Sequence, residues 1–280
     1  MPTDSPGPRS EREAPTPRDA AGHFRLKVWL TWVALLLLLC AGFYGLHLDF
    51  AYVGEKLPFL LGLRLAPDGF IQGAALTIFV TACSMIFALM VALLTALGRL
   101  SSNPVAFAMA TFYASLFRGT PLMVQVLIIY LALPQIGIVL GALSSGLIAL
   151  SLNYGAYLAE TIRSGIMAVP AGQREAAMAL ALPRWVIAWK VVGPQALRLI
   201  IPPAGALFVS MLKDSSLVSL MGLWELNFLA QSYARASAHY MEMLIAAALI
   251  YWALSIVFEL VQFRLERRFG KGVAVLGKRQ

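Results

Sequence analysis

Several polar and charged side chains stand inside long apolar stretches of this chain, and each suggests a chemistry. Lys213 and Asp214 lie within Leu199–Leu220. Neighbours on a helix point about 100° apart, so these two cannot pair as residues four apart do. An ionisable group in such surroundings is costly and usually functional. Asp214, one turn beyond Ser210, either finds a partner on another helix or subunit, or faces a polar path and receives a cation such as an ammonium. Lys213 points elsewhere and suits a structural role. Pro121 interrupts a second apolar stretch, Thr111–Leu133, where it frees backbone groups around Phe117–Thr120. Within membranes such breaks bind ions or carboxylates, and Thr120 and Gln125 can add a hydroxyl and an amide. A plain proline kink is the other reading. Glu160 and Arg163, three apart, can pair at the end of a span, which favours a structural role. Arg118 reads as structural or gating.

Other chemistries are poorly provided for. His23, His47 and His239 lie outside the apolar stretches, so a buried histidine dyad or metal site has no donor. Catalytic residues, metals and cofactors are therefore expected to be none. Cys40 and Cys83 both sit in apolar runs, which argues against a disulfide framework.

Membrane helices are needed to hold these groups, and the composition demands such helices. Of 280 residues, 60% are hydrophobic and 13% charged, with a mean hydropathy of +0.76. Soluble domains run about 45–50% apolar and about 25% charged. Too little charge is present for a water-facing shell, which excludes an ordinary soluble enzyme. Val28–Leu46 is longer than the ~7–15 residues of a signal-peptide core and lacks a clean cleavage site, so it reads as a retained span. Five more stretches approach the ~20 residues that cross a bilayer: Ile71–Leu97, Thr111–Leu133, Leu140–Ile162, Leu199–Leu220 and Met243–Phe263. Helices satisfy their own backbone groups in lipid. The expected fold class is an all-α polytopic membrane protein with six transmembrane helices. Residues 1–27, with five prolines and few large apolar side chains before His23, read as a disordered basic cytoplasmic tail. Residues 266–280 read as a second one.

A net charge of +8 and a pI near 9.7 raise the possibility of nucleic-acid binding, but the positions of the charges speak for a membrane. With the N-terminus inside and six spans, seventeen of the 22 Lys and Arg fall on the cytoplasmic side. Lys56, Arg64 and Arg235 fall outside, and Arg118 and Lys213 within spans. That asymmetry places both termini in the cytoplasm and accounts for the basic pI without nucleic acid.

The cytoplasmic connection Arg163–Arg198 is too apolar for a free loop. Pro170, Gly172, Pro183 and Pro194 divide it, predicting one short helix over Gln173–Leu182 and another over Pro183–Val192. Such a hairpin could lie on lipid or dock a partner. Its residues GQREAAMALALPRWVIAWKVVGPQALR (Gly172–Arg198) resemble the EAA loop of the membrane subunits of bacterial ABC importers. FRGTPLMVQ (Phe117–Gln125), NYGAYLAETIRSGI (Asn153–Ile166) and LKDSSLVSLMGLWEL (Leu212–Leu226) look like motifs of the polar amino acid permease subfamily, in the same order. Two positions depart. The glycine usual six residues after the Glu is Ala181, and the usual Leu-Pro is Gly193-Pro194. Altered loop geometry rather than lost docking is the expectation.

The resemblance implies a five-helix ABC importer transmembrane domain over residues 69–265, with a coupling loop at 168–198 and residues 28–46 as an extra N-terminal helix. Glu175 would contact a cytoplasmic ABC ATPase, with Ala176, Ala177 and Ala181 in the docking motif and Arg174 at its rim. A periplasmic amino-acid-binding protein and a second permease subunit, identical or paralogous, are the further partners. No P-loop pattern occurs, so a separate subunit must hydrolyse the ATP. The implied function is import of polar amino acids across the bacterial inner membrane by alternating access, with Asp214, Ser210, Thr120 and Gln125 meeting the substrate. A proton-coupled carrier of a small polar solute, using Asp214 and Glu160, is the alternative, and it leaves the EAA-like loop unexplained.

Overall fold

The computed structural model describes residues 17–45, 48–66 and 69–269, and contacts group the chain into two units, Met1–Asp49 and Phe50–Gln280. The first unit holds helix α1 (Pro17–Gly45). It starts at a proline, which suits a first helical position, and so reaches back into the stretch read as a disordered tail. Residues 1–16 and Leu46 lie outside the described residues. Trp29, Trp32 and Leu35–Leu39 are all exposed on it, as expected of a helix whose apolar sides meet lipid.

The second unit begins with α2 (Phe50–Leu60) and α3 (Gly73–Leu100). Gly73 has φ +61, and a Cβ there would stand 2.4 Å from the carbonyl oxygens of Phe59 and Leu60. Only glycine fits at this close approach of α2 to α3. α4 (Pro104–Gly119) follows, with Asn103 Oδ1 accepting from the amides of Val105 and Ala106. The single span expected over Thr111–Leu133 is not formed. α4 stops at Gly119, Thr120 and Pro121 are extended, and α5 (Leu122–Leu127) leaves at an angle, continuing through a π-helical turn and a 3₁₀ turn to Ile136. The two arms are bent by 103°. Pro121 is the cause, because its ring keeps Thr120 out of the helical region.

α6 (Ala142–Met167) is the centre of the unit. It packs against α3 through small side chains, Ala88, Ala92 and Ala96 on one helix and Ala149, Ala156 and Ala159 on the other, all buried. Small residues one turn apart let membrane helices approach closely. Gly155 extends the rule, since a Cβ there would meet the Tyr113 hydroxyl at 2.9 Å and Val91 at 3.2 Å. The outer side of α3 exposes Phe79, Ile86, Met90, Leu93 and Leu97.

Next come α7 (Ala171–Ala179) and α8 (Arg184–Val186), the latter running through a π-helical turn at Ile187–Val192 into α9 (Gly193–Asp214). Pro194 was expected to end a short helix, yet the helix continues. The preceding π turn absorbs the misfit: the Gly193 N–H bonds the Ala188 carbonyl, five residues back. One helical run therefore extends over Arg184–Met221, closing in 3₁₀ geometry at Ser215–Met221.

α10 (Leu226–Ser237) and α11 (Tyr240–Phe269) pack with Leu60 in a second core of Leu229, Ala234, Met243 and Ala247. Glu225 caps α10 by accepting from the amides of Asn227 (2.9 Å) and Phe228 (2.7 Å). Its burial beside Thr77 of α3 and Tyr251 of α11 pushes the carboxyl up to about 7, against the hydrogen bonds that favour its charged form.

Among the described residues all regular elements are helical, without a strand; the one bridge pairs Gly73 with Glu225. Among the described residues four helices are long and apolar enough to cross a membrane, five if the bent pair counts as one. α6 falls outside that count because it carries polar side chains, among them Ser151, Asn153, Glu160 and Arg163.

Candidate functional site

Three segments meet at a cavity of about 490 Å³: the break Arg118–Leu122, the α6 residues Asn153, Tyr154 and Tyr157, and the α9 residues Leu207, Ser210 and Asp214. Each segment has a local reason to be there. Pro121 opens the break, and the 3.6-residue period brings Ser210 and Asp214 to one face of α9. Asn153 and Tyr157, four apart on α6, share a face for the same reason. Asp214 Oδ2 accepts a 2.6 Å hydrogen bond from the Tyr154 hydroxyl. One carboxylate oxygen is thereby fixed beside the cavity.

The structure gathers Asp214, Ser210 and Thr120, but it does not bring Gln125 to the cavity. The Gln125 side chain is buried, and its Nε2 donates to the Phe117 carbonyl (2.9 Å), the Thr120 carbonyl (3.1 Å) and the Thr120 hydroxyl (2.8 Å). Asn153 Nδ2 completes the bracket with bonds to the Phe117 carbonyl and Gln125 Oε1, both 3.1 Å. The carbonyls that Pro121 frees are thus satisfied within the protein. Lys213 is exposed and turned away from the cavity, as its 100° offset from Asp214 requires.

Arg118 lies at the cavity edge, its guanidinium 5.5 Å from the Tyr157 ring centre. It reaches Glu160 at 3.6 Å. Glu160 also pairs closely with Arg163 on its own helix and with Arg99 from α3. The Glu160–Arg163 pair expected from the sequence is present. Arg99, 61 residues from Glu160 in sequence, had no sequence signal. Asn153 and Tyr157 had one: with Glu160 they recur at the spacing of a single helix face.

The loop residues divide in two. Glu175, Ala176 and Ala181 are exposed, but Ala177 is buried against Val169, Ile187 and Val192 and holds α7 to the helix that follows. Arg174 is not turned outward to a rim; it donates 2.6 Å to the Ile166 carbonyl and ties α7 to α6. Ala181 has φ 53, in the left-handed region. Its N–H bonds the Met178 carbonyl, and the Leu182 N–H bonds the Ala177 carbonyl, which is the helix-ending arrangement usually built on glycine. Ala181 thus answers the expected change of loop geometry by adopting the glycine conformation itself. A left-handed L-residue costs about 1–2 kcal/mol, less about 0.4–1 kcal/mol that alanine saves over glycine in the unfolded chain. Ala181→Gly should therefore raise the thermal midpoint of the solubilised protein by about 1–3 °C. A lower midpoint would show that Ala181 is unstrained.

Residues 84–271 match the family described as "Binding-protein-dependent transport system inner membrane component". The chain is 40% identical over 204 residues to the L-cystine transport system permease protein of Bacillus subtilis (strain 168), covering 72% of this chain and 87% of the relative. To the arginine transport system permease protein of the same organism it is 34% identical over 224 residues, covering 80% and 98%. Among solved structures it resembles the crystal structure of an amino acid ABC transporter with histidines, with 33% identity and a TM-score of 0.72 over 79% of this chain and 99% of that one.

Proposed function

The chain belongs to the family of binding-protein-dependent transport system inner membrane components, the permeases of ABC importers, and from that premise we infer that it carries polar amino acids inward. The observation that carries this reading is the cavity at the helix break, which offers groups of opposite charge to one small molecule. Asp214, held by Tyr154, presents a free carboxylate oxygen to an α-ammonium. Arg118 and the hydroxyls of Ser210 and Tyr157 face the same space and suit an α-carboxylate. A cavity of about 490 Å³ accommodates an amino acid with room for its side chain.

Six spans complete the reading: α1, α3, the bent α4–α5 pair, α6, the α9 run and α11. Six helices are few for a closed path, so a second permease subunit, identical or paralogous, completes it. Both termini lie in the cytoplasm on the charge asymmetry. A cytoplasmic ATPase pair docks on α7, and a periplasmic binding protein delivers the substrate. α7 is short and locked to α6 by Arg174, so a push on it travels as a rigid-body movement.

The test is reconstitution of the permease with its ATPase and binding protein in liposomes. Uptake of an amino acid that copurifies with the complex should require ATP on the ATPase side and the binding protein on the other. Uptake that proceeds without ATP would overturn the assignment.

A further inference from the structure

A second cavity, of about 390 Å³, adjoins the first. Arg118, Gly119 and Tyr157 line both, and Arg99, Thr111 and Ser115 carry the second toward the end of α3. Its polar groups are in surplus. Arg99 Nε and Thr111 Oγ1 are buried without a hydrogen-bond partner, and a buried donor left unpaired is costly. Charge is in surplus too, because Arg99, Arg118 and Arg163 share the one carboxylate of Glu160. Of the three contacts, that of Arg118 is the longest, at 3.6 Å. Among the described residues, no acidic side chain lines this cavity.

Guanidinium groups and a hydroxyl around one small space suit a planar, two-oxygen anion. We propose that this second cavity binds a carboxylate, as a second station for the carboxylate of the transported amino acid, handed over by Arg118. The identity of the ligand rests on the reading of the first cavity; the carboxylate site itself does not. Arg118 closes α4 just before the break and belongs to both cavities. It exchanges its loose contact with Glu160 for the substrate carboxylate. As the substrate moves inward, its ammonium leaves Asp214 while its carboxylate gains Arg99 and Thr111.

The experiment uses the assembled transporter in lipid nanodiscs, with Cys40 and Cys83 replaced by alanine and Ser115→Cys as the probe. A negatively charged methanethiosulfonate should modify Ser115→Cys at least about tenfold faster than a positively charged one, each relative to its rate on a free thiol. Arg118→Gln should bring that ratio close to one. Acetate should protect the thiol, and chloride at equal concentration should not. Thr111→Val should weaken acetate protection about tenfold without lowering the thermal midpoint, since its hydroxyl bonds nothing in the fold. Each L-amino acid is then tried singly, and those that are transported should protect where their amides do not. Absence of acetate protection, or equal protection by chloride, overturns the carboxylate site and leaves the first cavity untouched. Protection by acetate but by no amino acid overturns the hand-over. Failure of the first-cavity reading is seen separately, as unimpaired transport in Asp214→Asn.

Discussion

Asp214→Asn is expected to cut transport at least about tenfold while insertion, subunit assembly and basal ATP hydrolysis persist. The carboxylate lies at the end of α9 in a cavity, with one oxygen held by Tyr154 at 2.6 Å. Asparagine keeps an oxygen for that hydroxyl, so the local packing survives the change. The expected loss is the negative charge proposed to face a bound ammonium, and a tenfold loss corresponds to only ~1.4 kcal/mol of binding. Charge-assisted hydrogen bonds exceed neutral ones by about 1–1.5 kcal/mol, a difference of that size. Asp214→Glu should retain part of the activity. Lys213 is exposed on a different face, and Lys213→Met should disturb assembly rather than substrate handling. If Asp214→Asn fails to assemble while Lys213→Met assembles and stops transport, the two roles are exchanged.

The second large effect is expected on α7, in the loop that precedes the helical run Arg184–Met221. Glu175→Lys should abolish transport by loosening the ATPase, with the protein still inserted and folded. Glu175 is exposed on α7 and makes no ion pair among the described residues, so the fold does not need its charge. Reversal at a docked site costs about 2 kcal/mol or more when the opposing charge stays buried, which weakens association by roughly 30-fold. Copurification of the ATPase with the permease reads this directly. Asp214→Asn should leave that copurification intact, so the two variants separate coupling from substrate handling. Substrate-stimulated transport at the normal rate in Glu175→Lys would remove Glu175 from the interface.

Much of this was legible in the sequence because membranes impose simple local rules. α3 and α11 follow from apolar length, and Asp214 stands out because lipid makes an acid there costly. Ser210 follows from helical spacing alone. The misses have a common physical origin, in that they depend on how helices are rotated against one another. Gln125 sits one turn from the break, and only the packing of α6 shows its amide turned inward to Phe117 and Thr120. Ala177 and Arg174 share a motif with Glu175 but face the protein, because α7 has one side against α6 and α9. Arg99 meets Glu160 only once α3 lies along α6. Proline misled in both directions. Pro121 bends its span far more sharply than a kink, whereas Pro194 breaks nothing because a π turn precedes it.

That unbroken run from Arg184 to Met221 constrains how the gene can vary. A residue added or deleted between the loop and Asp214 would swing everything beyond it by about 100° and shift it by about 1.5 Å, carrying Asp214 out of the cavity. Substitutions leave that register alone. The π turn at Ile187–Val192 is the form in which a helix absorbs one extra residue locally. It sits near the start of the run, where α7 packs against it. Length variation in this chain belongs instead before α3 and beyond α11, where no helix transmits it to Asp214.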